Sequence, residues 1–362
     1  MRISALLRVS TAFAGAVALG VVALSGPGNA ETYRFKIASG HNENWHFIQL
    51  GRDFFIPEVK KRVAERTPHK VEFLQGWASS IVKATEVLEG TQSGVIDFGL
   101  FCICHEGGKL ALHNFPYYLP FGPTDPSVSV KATRKVYDQI PEINQQLEGK
   151  FGQKMISLVP FDVYDVISKF PFDKAAQVKG HKIGGAGPNL PWIGRMGASP
   201  VSVTGPEVYT ALQTGLFDAL IAFVSIMDAL KLYPVAPYYV QVGFGSMTIV
   251  GLTMNLNSFN KLPKEIQDIV VEVGREMEVK SGPFTAGVYD KYINIIGAKG
   301  ATVIKLPQAE RQAWARALST WPSERAAQIE AESKVPMKKV LRAYIKAAED
   351  EGYVWPVRYA ID

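Results

Sequence analysis

The sequence predicts an α/β fold of two lobes with mostly parallel sheets, crossing strands and long C-terminal helices. Three observations predict it. Apolar strand patterns alternate with amphipathic helix patterns along the first hundred residues of the exported chain, which is the order that builds parallel sheets. The same alternation resumes after residue 155. The remaining chain, about 330 residues once a leader is set aside, exceeds what one hydrophobic core comfortably serves.

The leader comes first. Arg2 and Arg8 precede the apolar run 11–24, and Gly28-Asn29-Ala30 offers small residues before a cleavage point. Residues 1–30 therefore read as a signal peptide, too short in its apolar part for a bilayer span of about 20 residues. No second run of spanning length follows, so no direct membrane insertion is expected after cleavage.

In the first lobe, YRFKIAS (33–39) reads as a strand, followed by a helix from about Asn44 with Phe47, Leu50 and Phe54 on one face. KVEFLQ (70–75) is a second strand. Residues 79–94 read as a helix with a Ser cap and a terminating Gly94, and VIDFGLF (95–101) as an apolar strand. In the second lobe, 155–160, 164–168, 201–203 and FDALIAF (217–223) are strand candidates. Residues 205–215 form a helix opened by Pro206 and stopped by Gly215. The long apolar run 247–256 is expected to cross back to the first lobe, and 262–277 carries helical spacing. Residues 308–332 and 337–350 read as helices interrupted by Pro322 and Pro336. The division predicted is 31–155 and 250–290 for lobe I, 156–249 and 291–330 for lobe II, and 331–362 for a C-terminal helical segment.

Composition narrows function. A net charge of +5 without a basic block gives no footing for nucleic acid. The two cysteines, Cys102 and Cys104, would share one strand face, where a bond between them would be strained; they read as buried small residues. With His105 they number three potential ligands, one short of a closed zinc site. The Gly-rich VKGHKIGGAGPN (178–189) lacks GxxxxGK[ST] and the third Gly of GxGxxG, so it is neither phosphate loop. No GxSxG elbow or HExxH occurs, and the six histidines pair with no obvious nucleophile. No catalytic residue and no cofactor is expected.

QSGVIDFG (92–99), FPYYLPF (115–121), VKGHKI (178–183), the block 196–220 and NSFNKLPKEIQDIV (257–270) occur in an order that resembles the periplasmic solute-binding proteins of tripartite ATP-independent periplasmic (TRAP) transporters, in the branch typified by C4-dicarboxylate binders. The resemblance implies a periplasmic-binding-protein-like clamshell that closes on a small organic acid in the periplasm and delivers it to a small and a large membrane subunit. It also implies an Arg in the pattern Gly-x-Lys-[Ile/Leu/Val]-Arg that grips the ligand carboxylate. This chain has Gly180-His181-Lys182-Ile183-Gly184, and Gly185-Ala186 follow where the family often has Val/Ala-Pro. Ala222-Phe223 stand where it commonly has a polar contact and Pro.

The ligand is therefore expected to be relatively apolar or aromatic. Loops after strands bring Trp45, Trp77, Phe101, Phe161, Tyr164, Phe223 and Phe244 toward a cleft, although core packing is the ordinary role of each. His41, Lys83, Cys102, His105 and the backbone amides from Gly184 and Gly185 onward are the remaining candidates, with Asn189 either a ligand contact or a helix cap. Two alternatives stand beside an organic acid: a neutral or cationic solute in an aromatic pocket, and a ligand-sensing partner of a membrane receptor.

Overall fold

The computed structural model describes residues 30–203 and 207–362. The leader and Pro206 lie outside the described residues.

Ten strands form one continuous network. They are β1 (Thr32–Ala38), β2 (Lys70–Gly76), β3 (Phe98–Cys102), β4 (Gln153–Ser168), β5 (Lys182–Gly185), β6 (Ser199–Ser202), β7 (Ala219–Phe223), β8 (Tyr238–Gln241), β9 (Ser246–Asn255) and β10 (Thr302–Lys305). Their order is β2-β1-β3-β9-β4-β7-β5-β6, with β8 on β4 and β10 on β8. Parallel pairing holds for β1 with β2 and β3, for β5 with β6 and β7, and for β8 with β10. The middle is antiparallel: β9 runs against both β3 and β4, and β4 against β7 and β8. The mixed sheet arises because β9 returns antiparallel between β3 and β4, and β4 continues beyond its ladder with β9 into antiparallel ladders with β7 and β8.

The strand candidates 155–160 and 164–168 are one 16-residue strand, β4. Its register against β9 slips at three places between Met155 and Val163, and these irregularities let one strand turn from the first sheet into the second. The helix read at 262–277 continues as Lys264–Ala298, 35 residues, with Pro283 inside it. Gly274 makes that long crossing close-packed, since a Cβ there would stand 2.4 Å from the Ile156 carbonyl oxygen of β4.

The helix expected over 79–94 is reduced to Val87–Gln92. Ala78 and Ser79 hold left-handed backbone, φ 52° and 62°, and Gly40 fits so closely against the Ala84 backbone that a Cβ would lie 2.0 Å from its nitrogen. A helical approach has no room there. The helix from Val208 does end at Gly215, in left-handed backbone at φ 76°. Two helices unmarked in the periodicity, Pro126–Gln139 and Pro141–Phe151, carry the chain from β3 to β4. The C-terminal helix Met337–Asp350 sets Tyr344 edge-on to Phe115.

The cysteines depart from expectation. β3 stops at Cys102, and the 3-10 turn Ile103–Glu106 swings Cys104 back, so the two are joined by a disulfide with their Cα atoms 5.1 Å apart. Strand geometry, the basis for reading them as unpaired small residues, does not extend to Cys104.

Candidate functional site

A contiguous set of aromatic rings stands where the loop after β1, the middle of β4 and the end of β7 meet. From the first half come His41 and Trp45, in the loop between β1 and the helix His46–Leu50. From the second come Phe161 and Tyr164 of β4 and Phe223, the last residue of β7. Phe161 and Phe223 stack, centroids 4.9 Å apart and planes within 14°. Trp45 meets Phe223 edge-on at 5.8 Å and Phe161 at 6.1 Å, closing the set across the halves. Tyr164 stands perpendicular to Phe223 at 5.4 Å. Such offset and edge contacts are the arrangements aromatic quadrupoles favour, each contributing about 0.5–1.5 kcal/mol beyond burial.

Strand parity explains why these side chains converge. Tyr164 lies directly opposite Phe223 in the β4–β7 ladder, and opposite residues share a face. Asp165 lies opposite Ala222, so that pair faces the other way; Ala222 packs with Ile167, Leu212 and Phe217 in the core behind the sheet.

The electrostatics of the rim are neutral. Burial, with the neighbouring His105 adding to it, holds the half-buried His41 down to about 4. His105 stacks on His41 at 5.5 Å and is also lowered by burial, less firmly, since the residue as a whole is exposed. Beneath the rings, fully buried His46 is held at about 4, its Nε2 donating to the Pro160 carbonyl at 2.9 Å.

The other expected site residues fall elsewhere. Lys83 sits in the turns before Val87, its side chain 73% exposed and paired with Glu86 at 3.3 Å. Trp77 is buried with its indole N–H donated to Gln75. Phe101 packs with Val87, Leu88 and Leu110 in a first-half core, and Cys102 is held by its disulfide. A Cβ on Gly184 would point at Phe217 and Leu220, 3.1–3.2 Å away, toward the core behind the sheet. Gly185 faces the opposite way, and a Cβ there would stand 2.4 Å from Asn189 Oδ1. Phe244 packs tilted against Phe121 and Trp192 and edge-on to Trp314.

Three groups escaped the sequence reading. Tyr117 hydrogen-bonds Tyr164 hydroxyl to hydroxyl at 2.7 Å, and buried Trp192 lies 6.0 Å from the Tyr164 ring while donating its indole N–H to the Tyr117 carbonyl. FPYYLPF was visible as a motif, but nothing in its periodicity aimed Tyr117 at β4. The third is Asp162, 1% exposed, whose two carboxylate oxygens lie near its own and the Ser225 backbone amides without forming a hydrogen bond of good geometry.

A cavity of about 360 Å³ opens beside the rings, lined by Asn42, Asn44, Trp45, His46, Gln49 and Ser225 among others. A larger one, about 680 Å³, lies between Asp165, Gly243, Tyr289, Lys305 and Arg311, away from the aromatic set. Size favours the second, whereas the first borders the aromatic set through Trp45. Among the described residues no group of three or more His, Cys, Asp or Glu is placed to hold a metal, and no helix is long and apolar enough to cross a membrane.

The chain matches the family of bacterial extracellular solute-binding proteins, family 7 (DctP), over residues 55–328. It is 26% identical over 273 residues to a solute-binding protein of Albidiferax ferrireducens, covering 72% of this chain and 75% of the relative. Its fold resembles a TRAP solute-binding protein from Rhodoferax ferrireducens in complex with benzoate, at TM-score 0.75 and 16% identity, covering 88% of this chain and 98% of that one. It also resembles an extracytoplasmic solute receptor of Bordetella pertussis binding pyroglutamic acid, at TM-score 0.66 and 21% identity, covering 86% and 99%.

Proposed function

Because the chain belongs to the bacterial extracellular solute-binding proteins of family 7, the solute receptors of TRAP transporters, we propose that its cleft captures a small, relatively apolar or aromatic organic acid. As a member of that family it binds a small molecule outside the cytoplasm, works with the membrane subunits of the transporter, and is not an enzyme.

The observation that carries the ligand class is the wall of Trp45, Phe161, Tyr164 and Phe223, drawn from both halves. The rings pack on one another, so a ligand would rest against the side of Trp45 that faces the adjoining cavity, and benzoate and pyroglutamate, held by two proteins of similar fold, are both small acids, the first aromatic. Residues proposed to touch the ligand are His41, Trp45, His105, Tyr164, Asn189 and Phe223. The proposed lobes remain 31–155 with 250–290 and 156–249 with 291–330, a reading supported by β4, which leaves its ladder with β9 to pair with β7 and β8.

One observation favours a second reading, a neutral solute. Burial holds His41 uncharged at neutral pH, so this edge of the aromatic set offers no cation to a carboxylate. A thermal-shift screen of aryl and aliphatic acids, amides and amines tests both readings. A ligand at 100 times its dissociation constant adds about 2.7 kcal/mol of stability. Stabilisation by strongly polar dicarboxylates alone would overturn the apolar-ligand reading; stabilisation by neutral compounds alone would select the second.

A further inference from the structure

We propose that the Cys102–Cys104 disulfide is a thiol–disulfide exchange site, that a dithiol opens it by attack on Cys104, and that its opening loosens the rim of the aromatic set. The exchange itself does not depend on which ligand the cleft takes.

The two cysteines are placed differently. Cys102 is the last residue of β3, 1% exposed and packed in the core. Cys104 lies in the 3-10 turn Ile103–Glu106 and is partly exposed. A thiolate arriving from outside therefore reaches Cys104 before Cys102. The backbone N–H of Cys104 donates to Cys102 Sγ at 3.3 Å. A neutral disulfide sulfur uses that donor weakly, but the negative charge that forms as Cys102 departs uses it fully. The exposed sulfur is the one attacked, and the buried one leaves with a donor in place.

The fold has little need of the bond. A cross-link stabilises mainly by restricting the unfolded chain, and its contribution grows with the length of the loop it closes. Here the two residues are separated by two positions, which leaves almost no loop to close. Cys102 is also fixed without it, since β3 is laddered to both β1 and β9 and Cys102 lies opposite Val250. A bond that contributes so little to the fold can be reduced while the chain stays folded.

The exchange balances with the dithiol as its one co-reactant. One of its thiols loses a proton and attacks Cys104 Sγ, forming a mixed disulfide. The protein S–S bond breaks, and Cys102 takes the electron pair and then the proton. The second thiol displaces Cys104, which leaves as a thiol, and the dithiol ends as its own disulfide. Two electrons have passed to the protein.

The turn reaches the aromatic set through His105, whose ring stacks on His41 at 5.5 Å, while His41 meets Trp45 edge-on at 5.2 Å. The Ile103 carbonyl accepts from Asn114 Nδ2 at 3.0 Å, which holds the start of the turn whether or not the bond is present. Opening the disulfide therefore frees Cys104 and His105, one ring contact away from His41 and two from Trp45.

The test uses the full exported chain with dithiothreitol as the dithiol. Alkylation and mass spectrometry are expected to find both thiols while the circular dichroism of the folded chain is retained. Deuterium uptake around residues 41–47 and 103–106 is expected to rise on reduction. Cys102→Ala leaves Cys104 as a single thiol, expected to react with an aromatic disulfide reagent about tenfold faster, or more, than Cys102 does in Cys104→Ala. Cys102→Ser serves where the alanine variant fails to fold. A disulfide that resists the dithiol until the chain unfolds overturns the exchange site. Equal or reversed reactivity of the two single thiols overturns the assignment to Cys104, and unchanged deuterium uptake on reduction overturns the effect on the rim.

Discussion

The hydroxyl groups of Tyr117 and Tyr164 lie 2.7 Å apart, joining the 3-10 segment Ala111–Tyr118 to the strand that passes between the sheets. Both are buried, so neither can exchange its partner for water. Tyr164→Phe is expected to destabilise the protein by about 1–3 kcal/mol by leaving the Tyr117 hydroxyl unpaired. Adding Tyr117→Phe should then cost less than Tyr117→Phe does alone. Urea denaturation of the four proteins of this cycle checks it; strictly additive costs would show the two hydroxyls are not coupled.

Trp45 is half-buried and touches Phe223 and Phe161 across the halves. Trp45→Ala is expected to weaken ligand binding by more than about 1 kcal/mol, the scale of an aromatic anchor, with a smaller effect on unfolding. Phe101→Leu, in the core behind, should do the reverse. Titration and thermal denaturation of both variants separate the two outcomes.

Two carboxyl groups on β4 make stability depend on pH. Burial, with the charge of Asp165 second, pushes Asp162 well above the usual carboxylate range. Burial raises Asp165 to about 6, although the Gly243 amide, the Tyr239 and Tyr289 hydroxyls and the charge of Arg311 oppose it. Both therefore hold protons in the folded state that the unfolded chain has released above about pH 4, and the stability they contribute falls as pH rises from there. His41 and His46, held at about 4, act oppositely and lose stability as pH falls below about 6.5. Asp162→Asn should stabilise the protein at pH 7, with the gain shrinking toward pH 4. Denaturation at pH 4, 5.5 and 7 reads this; a gain independent of pH would mean Asp162 is ionised in the fold.

Gly274 lets the helix Lys264–Ala298 lie against the Ile156 carbonyl. Gly274→Ala should cost about 1–3 kcal/mol through overpacking, despite the better helix propensity of Ala. Unchanged or raised stability in denaturation would show that the helix can shift away freely.

Much of the fold was legible because strand and helix periods differ and glycines mark ends, as at Gly215. β4 was not, since Pro160 and the residues after it look like a break and only pairing with β9 reveals one bent strand. Trp45 and Phe223 could be anticipated at one sheet edge because each lies where a strand of a parallel pair gives way to a helix, whereas Tyr164, expected in a loop, lies inside β4 and meets Phe223 by antiparallel pairing. The direction of Gly184 could not, because it depends on which face of the four-residue strand β5 each residue takes, and one step of parity separates the core behind from the side of Asn189. Tyr117 and Trp192 come from segments with no period, so only the folded chain aims them.

The position of β9 has a consequence for the order in which the molecule can be assembled. It lies between β3 and β4, yet it is the ninth strand to emerge. Until residue 255 is available, β3 lacks one neighbour and the long strand β4 lacks the partner that spans most of its first half. The central seam is therefore filled late, by a segment far along the chain, and a nascent or partly translocated polypeptide cannot complete either sheet. A chain built this way postpones its own closure, which suits one that must cross a membrane before it folds.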